Sequence, residues 1–596
     1  MMKFNDKQLE AIYSINGTVQ VIAAAGSGKS SVLVERILNM IKCHNINPDD
    51  ILTISFTNAS ATDLKKKLAE KGITVLAGTF HVICKKLLED IGYDNLTNFP
   101  NTYKLKREME MRTGEKNLNM KDIISWIDYQ KAHGLTYTDI LKEKESIYSN
   151  CGLLRDFFMI YEEFNKKNNC YDFNDWMNLT VKEYEKGRIK RKWKYVLVDE
   201  CQDLSGVQHK LVDLFCSTNN IFEVGDLQQT LYSWRGATPE LFQYFDKSHP
   251  NTKIINMNTN YRSCDNIVCA ANNFIRPYNK KYANYVDTVA NNKNDGNIIC
   301  YDFNTSEEES VYVVNEIKKM LDNGVNPKDI AVLYRNHSCS DFIEKELTYA
   351  GIEYKTFNEN SFFDRKEIKG ILSVLRLLVN YNDDEAFEDL LESRFYPVKY
   401  YKSDLVDKLR IDAAKRNYSM YEAFIDCNFN ASYEYKNREI LIDMIGRLKV
   451  QKEKFLSVDK IIDNIIKMFK IEDSLKQNYE YDVYIDKLNS VNNFSSMGKS
   501  LYTDGFVKMC VGGKFKRNNK SNCIELRTIH SAKGLEWDNT FLVGLKQGRF
   551  PSSKSDLLSE ARLMYVGVTR AKTNLYLTCI EQSDFYDEYS SYWKIQ

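Results

Sequence analysis

Short apolar runs and amphipathic helical stretches alternate along the chain, and the alternation comes in blocks. Within residues 1–88, strand-like runs at Val19 to Ala23 and Ile51 to Phe56 flank a helical pattern from Ser31 to Ile41. Short apolar runs separated by helical patterns are typical of parallel sheets. The first block therefore predicts an α/β fold.

Two long polar stretches with helical periodicity interrupt this alternation, at residues 89–190 and 379–521. Strand-like runs return between and after them, at Tyr195 to Val198, Ile330 to Tyr334 and from about Cys523. We predict two parallel-sheet domains, each interrupted by a mainly helical insertion. The expected boundaries are 1–88 with 191–262 for the first sheet domain, 89–190 for its insertion, 263–378 with 522–596 for the second sheet domain, and 379–521 for its insertion.

Length and composition limit the class of protein without deciding its function. A chain of 596 residues is too long for one compact core, and 28% charged residues is ordinary for a globular protein. Lys and Arg together number 82, and Asp and Glu together also number 82, so the net charge is near zero. A neutral protein is not expected to coat nucleic acid non-specifically, but a locally basic channel is compatible with this balance. The 14 cysteines form no C-x-x-C pair, so we expect no zinc knuckle. No apolar run suits a signal peptide or a membrane span, so we expect a cytoplasmic protein without a membrane partner.

The segment AAAGSGKS, Ala23 to Ser30, joins an apolar strand to an amphipathic helix. This context fits a phosphate-binding loop, in which glycines let backbone N–H groups converge on phosphate oxygens at a helix N-terminus. We expect Lys29 to reach the β- and γ-phosphates of ATP and the Ser30 hydroxyl to ligate Mg²⁺. The loop residues predicted to bind ATP are Ala25, Gly26, Ser27, Gly28, Lys29 and Ser30.

Two acids, Asp199 and Glu200, follow the apolar run Tyr195 to Val198. Ligands of α/β sheets bind at the carboxyl ends of the strands. We expect Asp199 to hold Mg²⁺ and Glu200 to position and deprotonate the attacking water. An Asp-Glu pair can also end a strand in solvent, but the phosphate-binding loop favours the catalytic interpretation.

The motifs that follow resemble those of the UvrD/Rep/PcrA family of superfamily 1 helicases, in the family's order and from residue 4 to about residue 578. They are DECQDLSGVQ (199–208), GDLQQTLYSWRGA (225–237), NYRS (260–263), FFDRKEIK (362–369), TIHSAKGLEW (528–537) and YVGVTRAK (565–572). The resemblance implies two RecA-like core domains. It also implies an ATP-dependent 3′-to-5′ DNA helicase or single-stranded DNA translocase acting in repair, replication or recombination.

The resemblance further implies how ATP is held. Gln8 is expected to read the adenine edge, because a carboxamide can donate and accept there together. Tyr261 and Arg36 are expected to sandwich the base. Glu536 is expected to accept a hydrogen bond from the ribose.

Three further residues receive catalytic roles from the resemblance. Gln229 is expected to sense the γ-phosphate, and Arg262 and Arg570 resemble arginine fingers that neutralise transition-state charge. An arginine is more often part of a surface ion pair. The motif setting favours the finger for Arg570 and, less strongly, for Arg262.

A DNA channel across the tops of both core domains is also implied. Aromatic faces suit bases, whereas hydroxyl, amide and basic groups suit phosphates. A core position is an equally good interpretation of any single aromatic residue, and motif and position favour DNA contact best for Phe56 and Trp234. The residues predicted to contact DNA are Phe56, Thr57, Asn58, Thr79, His81, Tyr232, Trp234, Arg235 and His530.

The chain departs from the family pattern in two places. Relatives carry a Gly-x-Gly turn early in the second insertion, where this chain reads Pro397-Val398-Lys399-Tyr400-Tyr401. After the sixth motif the family has a hairpin that wedges the fork, whereas only Cys579 to Gln596 remain here. The aromatic residues available for such a wedge are Phe585, Tyr586, Tyr589 and Tyr592. We therefore expect movement along DNA to be stronger than unaided unwinding.

Two other functions stay open. The first is the same motor as a subunit of a nuclease-coupled complex, for example in phage defence. The second is a non-motor, nucleotide-gated DNA-binding protein, which Glu200, Gln229 and Arg570 disfavour because a binding switch needs no hydrolytic set. The expected cofactors are ATP and Mg²⁺, and the expected partners are single-stranded DNA, tailed duplex DNA and a nuclease or repair protein.

Overall fold

The structure is a computed structural model that describes residues 3–116, 118–140, 151–279, 286–357, 361–402, 404–512, 522–553 and 555–591. Its framework is two six-stranded sheets in which all paired strands run parallel. This confirms the predicted α/β class with two parallel-sheet core domains.

The first sheet has the strand order β3-β2-β4-β5-β1-β6. Its strands are β1 (Val19–Ala23), β2 (Ile51–Ile54), β3 (Leu76–Gly78), β4 (Trp193–Asp199), β5 (Cys216–Gly225) and β6 (Lys253–Met257). β5 pairs with β1 on one side and with β4 on the other. Because the strands are parallel, the loops after β1, β4 and β5 meet at one edge.

Helices cover this sheet and form the first insertion. They are α1 (Asp6–Tyr13), α2 (Lys29–Lys42), α3 (Asn58–Ala69), α4 (Phe80–Asp90), α5 (Thr102–Thr113), α6 (Met120–Ala132), α7 (Cys151–Asn168), α8 (Phe173–Glu185), α9 (Gly206–Phe215), α10 (Pro239–Gln243) and α11 (Phe245–Ser248). Helices α5 to α7 share a small core around Leu105, Trp126 and Phe158. Trp176 of α8 packs in the core of the first sheet domain instead. Helix α8 therefore connects the insertion to the core of the first sheet domain.

The second sheet has the order β11-β12-β10-β13-β14-β9, and a two-stranded sheet, β7-β8, precedes it in the chain. The strands are β7 (Thr259–Cys264), β8 (Val289–Asn292), β9 (Asn297–Phe303), β10 (Ile330–Tyr334), β11 (Tyr354–Thr356), β12 (Ile524–Thr528), β13 (Trp537–Leu545) and β14 (Ala571–Ile580). Strands β11 and β12 are neighbours although the whole second insertion separates them in sequence.

The remaining helices belong to the second sheet domain and its insertion. They are α12 (Asp265–Asn279), α13 (Ser306–Asp322), α14 (Asp341–Tyr349), α15 (Lys366–Val379), α16 (Asp384–Ser393), α17 (Leu405–Arg416), α18 (Met420–Ile425), α19 (Ser432–Glu453), α20 (Val458–Met468), α21 (Ile471–Asn478), α22 (Tyr481–Met497), α23 (Thr503–Gly512), α24 (Leu557–Val568) and α25 (Asp584–Ser591). Among the residues described, none of these helices is both long and apolar enough to cross a membrane.

A buried ion network attaches the second insertion to its sheet domain. The Arg365 guanidinium donates to Asp341 and Glu344, at 2.6 Å each, and to the Ser490 hydroxyl at 3.0 Å. All four side chains are buried. The motif FFDRKEIK therefore has a structural role here, because loss of one partner leaves a buried charge uncompensated.

The suggestion of an aromatic wedge after the sixth motif is wrong for three of its four residues. Phe585, Tyr586 and Tyr589 lie on α25 and are buried in the core of the second sheet domain. The Phe585 ring packs edge-on against Phe274 with 5.3 Å between ring centres. Tyr592 lies outside the described residues.

Candidate active site

The phosphate-binding loop depends on two glycines with left-handed backbone. Gly26 has φ +68° and Gly28 has φ +80°, a region that L side chains rarely adopt. A Cβ atom on Gly26 would lie 2.8 Å from the Arg262 Cβ atom, and one on Gly28 would lie 3.0 Å from the Gln8 amide nitrogen. The loop therefore packs closely against Arg262 on one side and Gln8 on the other.

Several donors of the loop have weak or no partners. Helix α2 begins at Lys29, and its cap residue, Gly28, supplies no side-chain acceptor to the first N–H groups. Within the part of the chain that the structure describes, the Lys29 ammonium donates only to the Ala23 carbonyl, at 3.3 Å. The Ser27 hydroxyl is buried without a hydrogen-bond partner among the described residues. Free donors at a helix N-terminus fit a phosphate group.

The two acids at the end of β4 have opposite electrostatic environments. Burial, reinforced by the neighbouring charge of Glu200, raises the pKa of Asp199. Burial also raises the pKa of Glu200, but the charges of Lys533 and Lys29 outweigh it and hold that pKa below the ordinary value. A cation beside Asp199 would reverse its shift. An oxygen-only set of Asp199 and the Ser30 hydroxyl fits Mg²⁺.

Glu200 is also held in an uncommon backbone conformation. Its φ is +56°, which costs a non-glycine residue about 1–2 kcal/mol. The carboxylate accepts from the Gln202 amide at 2.6 Å. Strained backbone that is kept in place by surrounding contacts is common at functional sites.

Lys533, which the sequence analysis left without a role, joins the two sheet domains at this point. It follows β12, yet its ammonium pairs with Asp203 and donates to the Gln229 carbonyl at 2.8 Å. It also lies 3.5 Å from Glu200. Burial lowers the pKa of Lys533, but Asp203 and Glu200 outweigh it and raise that pKa above the ordinary value. The sequence could have marked Lys533 as a candidate, because it lies inside the fifth motif. It could not show which acidic residues Lys533 contacts, because those residues are distant in the chain.

Arg570 is a buried cation whose described partners include no carboxylate. Its guanidinium donates to the Val566 carbonyl at 2.8 Å and to the Gln229 side-chain oxygen at 3.3 Å. Burial, and next the charge of Arg262, lower the pKa of Arg570 to about 9. Two guanidinium groups that repel each other fit a site for an anion. A phosphate group would supply that charge.

Arg262 is ion-paired in this state. Its Nε donates to Glu536 at 2.6 Å, and its Nη1 donates to the Thr569 carbonyl at 3.1 Å. Glu536 also lies 3.5 Å from Lys572. The residues predicted for the ribose and for one arginine finger are therefore brought together.

The predicted adenine-binding residues Gln8 and Tyr261 lie near the loop. The Gln8 amide accepts from the Asn5 backbone N–H and donates to the Ser27 carbonyl at 3.0 Å. Tyr261 is 40% exposed, and its hydroxyl accepts from the Asn5 side chain at 2.7 Å. Recognition of adenine by these two residues stays a prediction.

The prediction that Arg36 stacks on the base is wrong for this structure. Its guanidinium donates to the Ala11 carbonyl at 2.6 Å and to the Ile15 carbonyl at 3.3 Å. It lies 4.2 Å from the centre of the Phe222 ring, and the residue is only 2% exposed. Arg36 lies two turns into α2, on the side of the helix that packs against the sheet. Its hydrogen bonds to the Ala11 and Ile15 carbonyls hold α1 against the core, and its guanidinium is too buried to stack on a ligand.

A row of aromatic residues crosses the two domains beside the acids. Phe56 stacks on Tyr232 with ring centres 4.9 Å apart, and Tyr232 lies 6.5 Å from His530. The Arg235 guanidinium lies 4.6 Å from the Trp234 ring, which is 48% exposed. Burial, with help from neighbouring cations, lowers the pKa of His530 to about 3, so this side chain is neutral at pH 7. The row thus offers uncharged ring faces with an arginine at its edge.

The other predicted DNA residues lie on the first domain, outside this row. Thr57 caps α3 by accepting from the Ser60 N–H, and Asn58 begins that helix in an exposed position. Thr79 is buried at the start of α4. His81 packs edge-on against Phe173, an exposed aromatic residue of α8 that the sequence analysis did not select.

Two family descriptions match this chain over most of its length. UvrD/REP helicase N-terminal domain matches residues 4–250, and UvrD-like helicase C-terminal domain matches residues 255–582. The boundary between the matches falls at β6, the strand at one edge of the first sheet.

Two similar proteins are each described as ATP-dependent DNA helicase PcrA. The protein from Staphylococcus epidermidis is 28% identical, and the one from Staphylococcus aureus is 27% identical. Each alignment covers 96% of this chain and 83% of the relative.

Proposed function

This chain belongs to the UvrD/Rep family of helicases, and we propose that it is an ATP-hydrolysing DNA motor that moves 3′ to 5′ along single-stranded DNA. The family membership supports an ATP-dependent DNA helicase. The direction and a role in repair, replication or recombination are the finer part of the proposal.

The observation that carries the proposal is the position of Lys533. This lysine lies 3.5 Å from the Glu200 carboxylate and 5.7 Å from the centre of the Tyr232 ring. The candidate water-activating acid and the candidate base-stacking row therefore contact the same side chain. A motor needs such a link, because DNA has to change the rate of hydrolysis.

The electrostatics supports stimulation by DNA. Lys533 and the Gln202 amide stabilise the ionised form of Glu200, which makes it a weak base. Bases stacking on Tyr232 would shift this ring, and with it the lysine that lies over it. Withdrawal of Lys533 would raise the pKa of Glu200 and make it a stronger acceptor for the proton of water.

The remaining groups suit phosphoryl transfer. Lys29 and the N–H groups of the loop would hold the phosphates, while Arg570 and Arg262 would neutralise charge as it develops. Asp199 and Ser30 would hold Mg²⁺, which supplies further charge neutralisation when bound. Arg262 would have to exchange Glu536 for phosphate, so it is expected to engage only when ATP closes the two domains.

An ATPase assay with and without single-stranded DNA tests the motor. We expect little hydrolysis without DNA and strong stimulation by an oligonucleotide. A duplex with a 3′ tail should then support activity better than the same duplex with a 5′ tail. ATP binding without DNA-stimulated hydrolysis would favour the nucleotide-gated DNA-binding protein instead.

A further inference from the structure

The motif NYRS, residues 260–263, contains a buried side chain that has no role in the motor described so far. The family resemblance implies roles for Tyr261 and Arg262 but none for Asn260. The motif lies within β7, between Met257 in the core of the first sheet domain and Ile267 in the core of the second. The chain therefore passes from one sheet domain to the other through this motif.

The Asn260 carboxamide bonds to two separate parts of the candidate active site. Its Nδ2 donates to the Ala25 carbonyl of the phosphate-binding loop at 2.9 Å. Its Oδ1 accepts from the backbone N–H groups of Arg262 at 2.7 Å and of Ser263 at 2.8 Å. The residue is 1% exposed. One side chain therefore fixes the loop relative to the backbone that carries Arg262.

The backbone beside Asn260 contacts the same loop. The Tyr261 N–H donates to the Gly26 carbonyl at 2.9 Å. A Cβ atom on Gly26 would lie 2.9 Å from the Asn260 Nδ2 atom, so the loop and the carboxamide are in close contact. Two consecutive residues of the motif thus hold two consecutive carbonyl groups of the loop.

The other end of the motif is bonded to the segment that carries Arg570. The buried Ser263 hydroxyl donates to the Ala571 carbonyl at 2.6 Å. The Arg262 Nη1 donates to the Thr569 carbonyl at 3.1 Å. The residues on both sides of Arg570 are therefore hydrogen-bonded to the motif. Because Asn260 accepts from the N–H groups of both Arg262 and Ser263, its side chain connects the loop to both candidate arginine fingers.

We propose that Asn260 is a positioning residue that keeps the phosphate-binding loop in register with Arg262 and Arg570. The loop holds the phosphates that ADP and ATP share, whereas the arginine fingers act on the γ-phosphate. Loss of the register would leave binding of ADP largely intact but would weaken contacts to the third phosphate. Hydrolysis would slow, because donors stabilise developing charge only when they are positioned in advance. This inference rests on the proposed function and adds a residue to it.

Asn260→Asp is the informative variant, because it keeps nearly the same shape. The introduced carboxylate can still accept from the Arg262 and Ser263 N–H groups, but while ionised it cannot donate to the Ala25 carbonyl. Asn260→Leu is uncharged and loses all three hydrogen bonds. The two variants therefore separate loss of the donor from the effect of an added charge.

Asn272→Asp is the matched control. Asn272 of α12 is also buried, donates to the Thr288 carbonyl at 2.7 Å and accepts from the Thr288 N–H at 3.2 Å. The control makes the same chemical change at an asparagine whose bonds within the described chain go to neither the loop nor the arginine fingers. Thermal melting checks that each variant folds. If a variant at position 260 melts early, Asn260→Ser is measured in its place, because a shorter side chain cannot bridge both partners.

The first measurement compares the affinities for a non-hydrolysable ATP analogue and for ADP, both with Mg²⁺ and a single-stranded oligonucleotide. The wild type and Asn272→Asp should prefer the ATP analogue, because only this ligand offers a third phosphate to the arginine fingers. Asn260→Asp and Asn260→Leu should lose about 10-fold of this preference, the worth of about one hydrogen bond to a charged group.

The second measurement follows kcat for DNA-stimulated hydrolysis from about pH 8 to about pH 6, a window in which a buried carboxyl titrates. At the upper pH, Asn260→Asp should be about 10²-fold slower than the wild type, as expected for misplaced groups. At the lower pH the introduced carboxyl gains a proton and can again donate to the Ala25 carbonyl. The ratio of variant to wild-type kcat should therefore rise as the pH falls, whereas the ratio for Asn260→Leu should stay constant.

A preference for the ATP analogue that is the same in both Asn260 variants and in the control overturns the proposal. A wild-type protein that binds the two nucleotides equally also overturns it. A ratio for Asn260→Asp that does not change with pH would show that the missing donor is not the cause. Absence of DNA-stimulated hydrolysis in the wild type would sink the proposed function instead, and the binding preference would still decide the role of Asn260.

Discussion

The Lys533 ammonium lies 3.5 Å from the Glu200 carboxylate, although the two residues come from different sheet domains. The same ammonium pairs with Asp203, which is also buried. A charge that is shared across a domain interface responds to movement of either domain. This relationship makes the proton-accepting strength of Glu200 depend on how the domains are closed.

Replacement of Lys533 should move the pH dependence of ATP hydrolysis. In Lys533→Gln the pKa of Glu200 rises towards its ordinary value, because the first of the two cations that lower it is gone and Lys29 alone remains. Activity needs ionised Glu200, so the acidic limb of the kcat profile should move to higher pH. DNA stimulation should also weaken. An unchanged acidic limb in a folded variant would show that Lys533 does not act through Glu200.

Because that change also leaves Asp203 without its cation, stability needs a separate control. Breaking a buried pair costs about 3–5 kcal/mol. Lys533→Arg keeps the charge and should restore much of the stability. A pH profile of Lys533→Arg that matches the wild type would separate the electrostatic role from the structural one.

Glu200→Gln should bind ATP but hydrolyse it slowly. Loss of a general base costs about 10²–10⁴-fold in rate. The amide can still accept from Gln202, so the strained turn should survive. Single-turnover hydrolysis beside an ATP-binding titration measures the two effects separately. Near-normal turnover would remove Glu200 from the catalytic role.

Arg570→Ala should lose turnover by about 10³–10⁵-fold, the range for an arginine finger. The side chain also donates to the Val566 carbonyl, so Arg570→Lys serves as the second variant. The lysine keeps a charge but loses the planar fork. Both variants should remain slow at saturating ATP. A normal kcat with a raised KM for ATP would limit Arg570 to binding.

Trp234→Ala should weaken binding of single-stranded DNA by about 1–3 kcal/mol, the usual contribution of one base stack. The ring is 48% exposed, so the melting temperature should change little. ATP binding without DNA should also stay constant. Fluorescence anisotropy with a labelled oligonucleotide gives the affinity. A lower melting temperature with equal loss of both ligands would instead show that Trp234 supports the fold and not DNA binding specifically.

We expect this protein to translocate better than it unwinds. The segment from Val398 to Tyr400 is a 3-10 turn without glycine, and the rings after the sixth motif are buried in α25. Opening one base-pair step costs about 1.4 kcal/mol on average, so a wedge matters for unwinding. Displacement of a protein block from single-stranded DNA should be robust, while unwinding of a long 3′-tailed duplex should be weak. Efficient unaided unwinding at the same salt concentration would refute this expectation.

The sequence by itself determined the features that depend on neighbours in the chain. The loop from Ala23 to Ser30 needs only a strand, two glycines and a helix start, all of which are contiguous. The acids at the end of β4, Asp199 and Glu200, follow from one apolar run in the same way. Local periodicity also separated the sheet domains from their helical insertions, because helix and strand patterns repeat over a few residues.

Only the tertiary structure decided which distant groups meet. Lys533 and Asp203 are 330 positions apart, and no local pattern pairs a given lysine with a given acid. Arg36 belongs to a helix that the sequence placed correctly, yet packing against Phe222 turned it away from the ligand. The sequence could not decide whether Phe585, Tyr586 and Tyr589 form a wedge or belong to the core. The packing of α25 against the second sheet domain decided it, because this packing buries all three rings. The residue type determines which chemistry a side chain can perform. Long-range packing determines whether that side chain is buried and which groups it contacts.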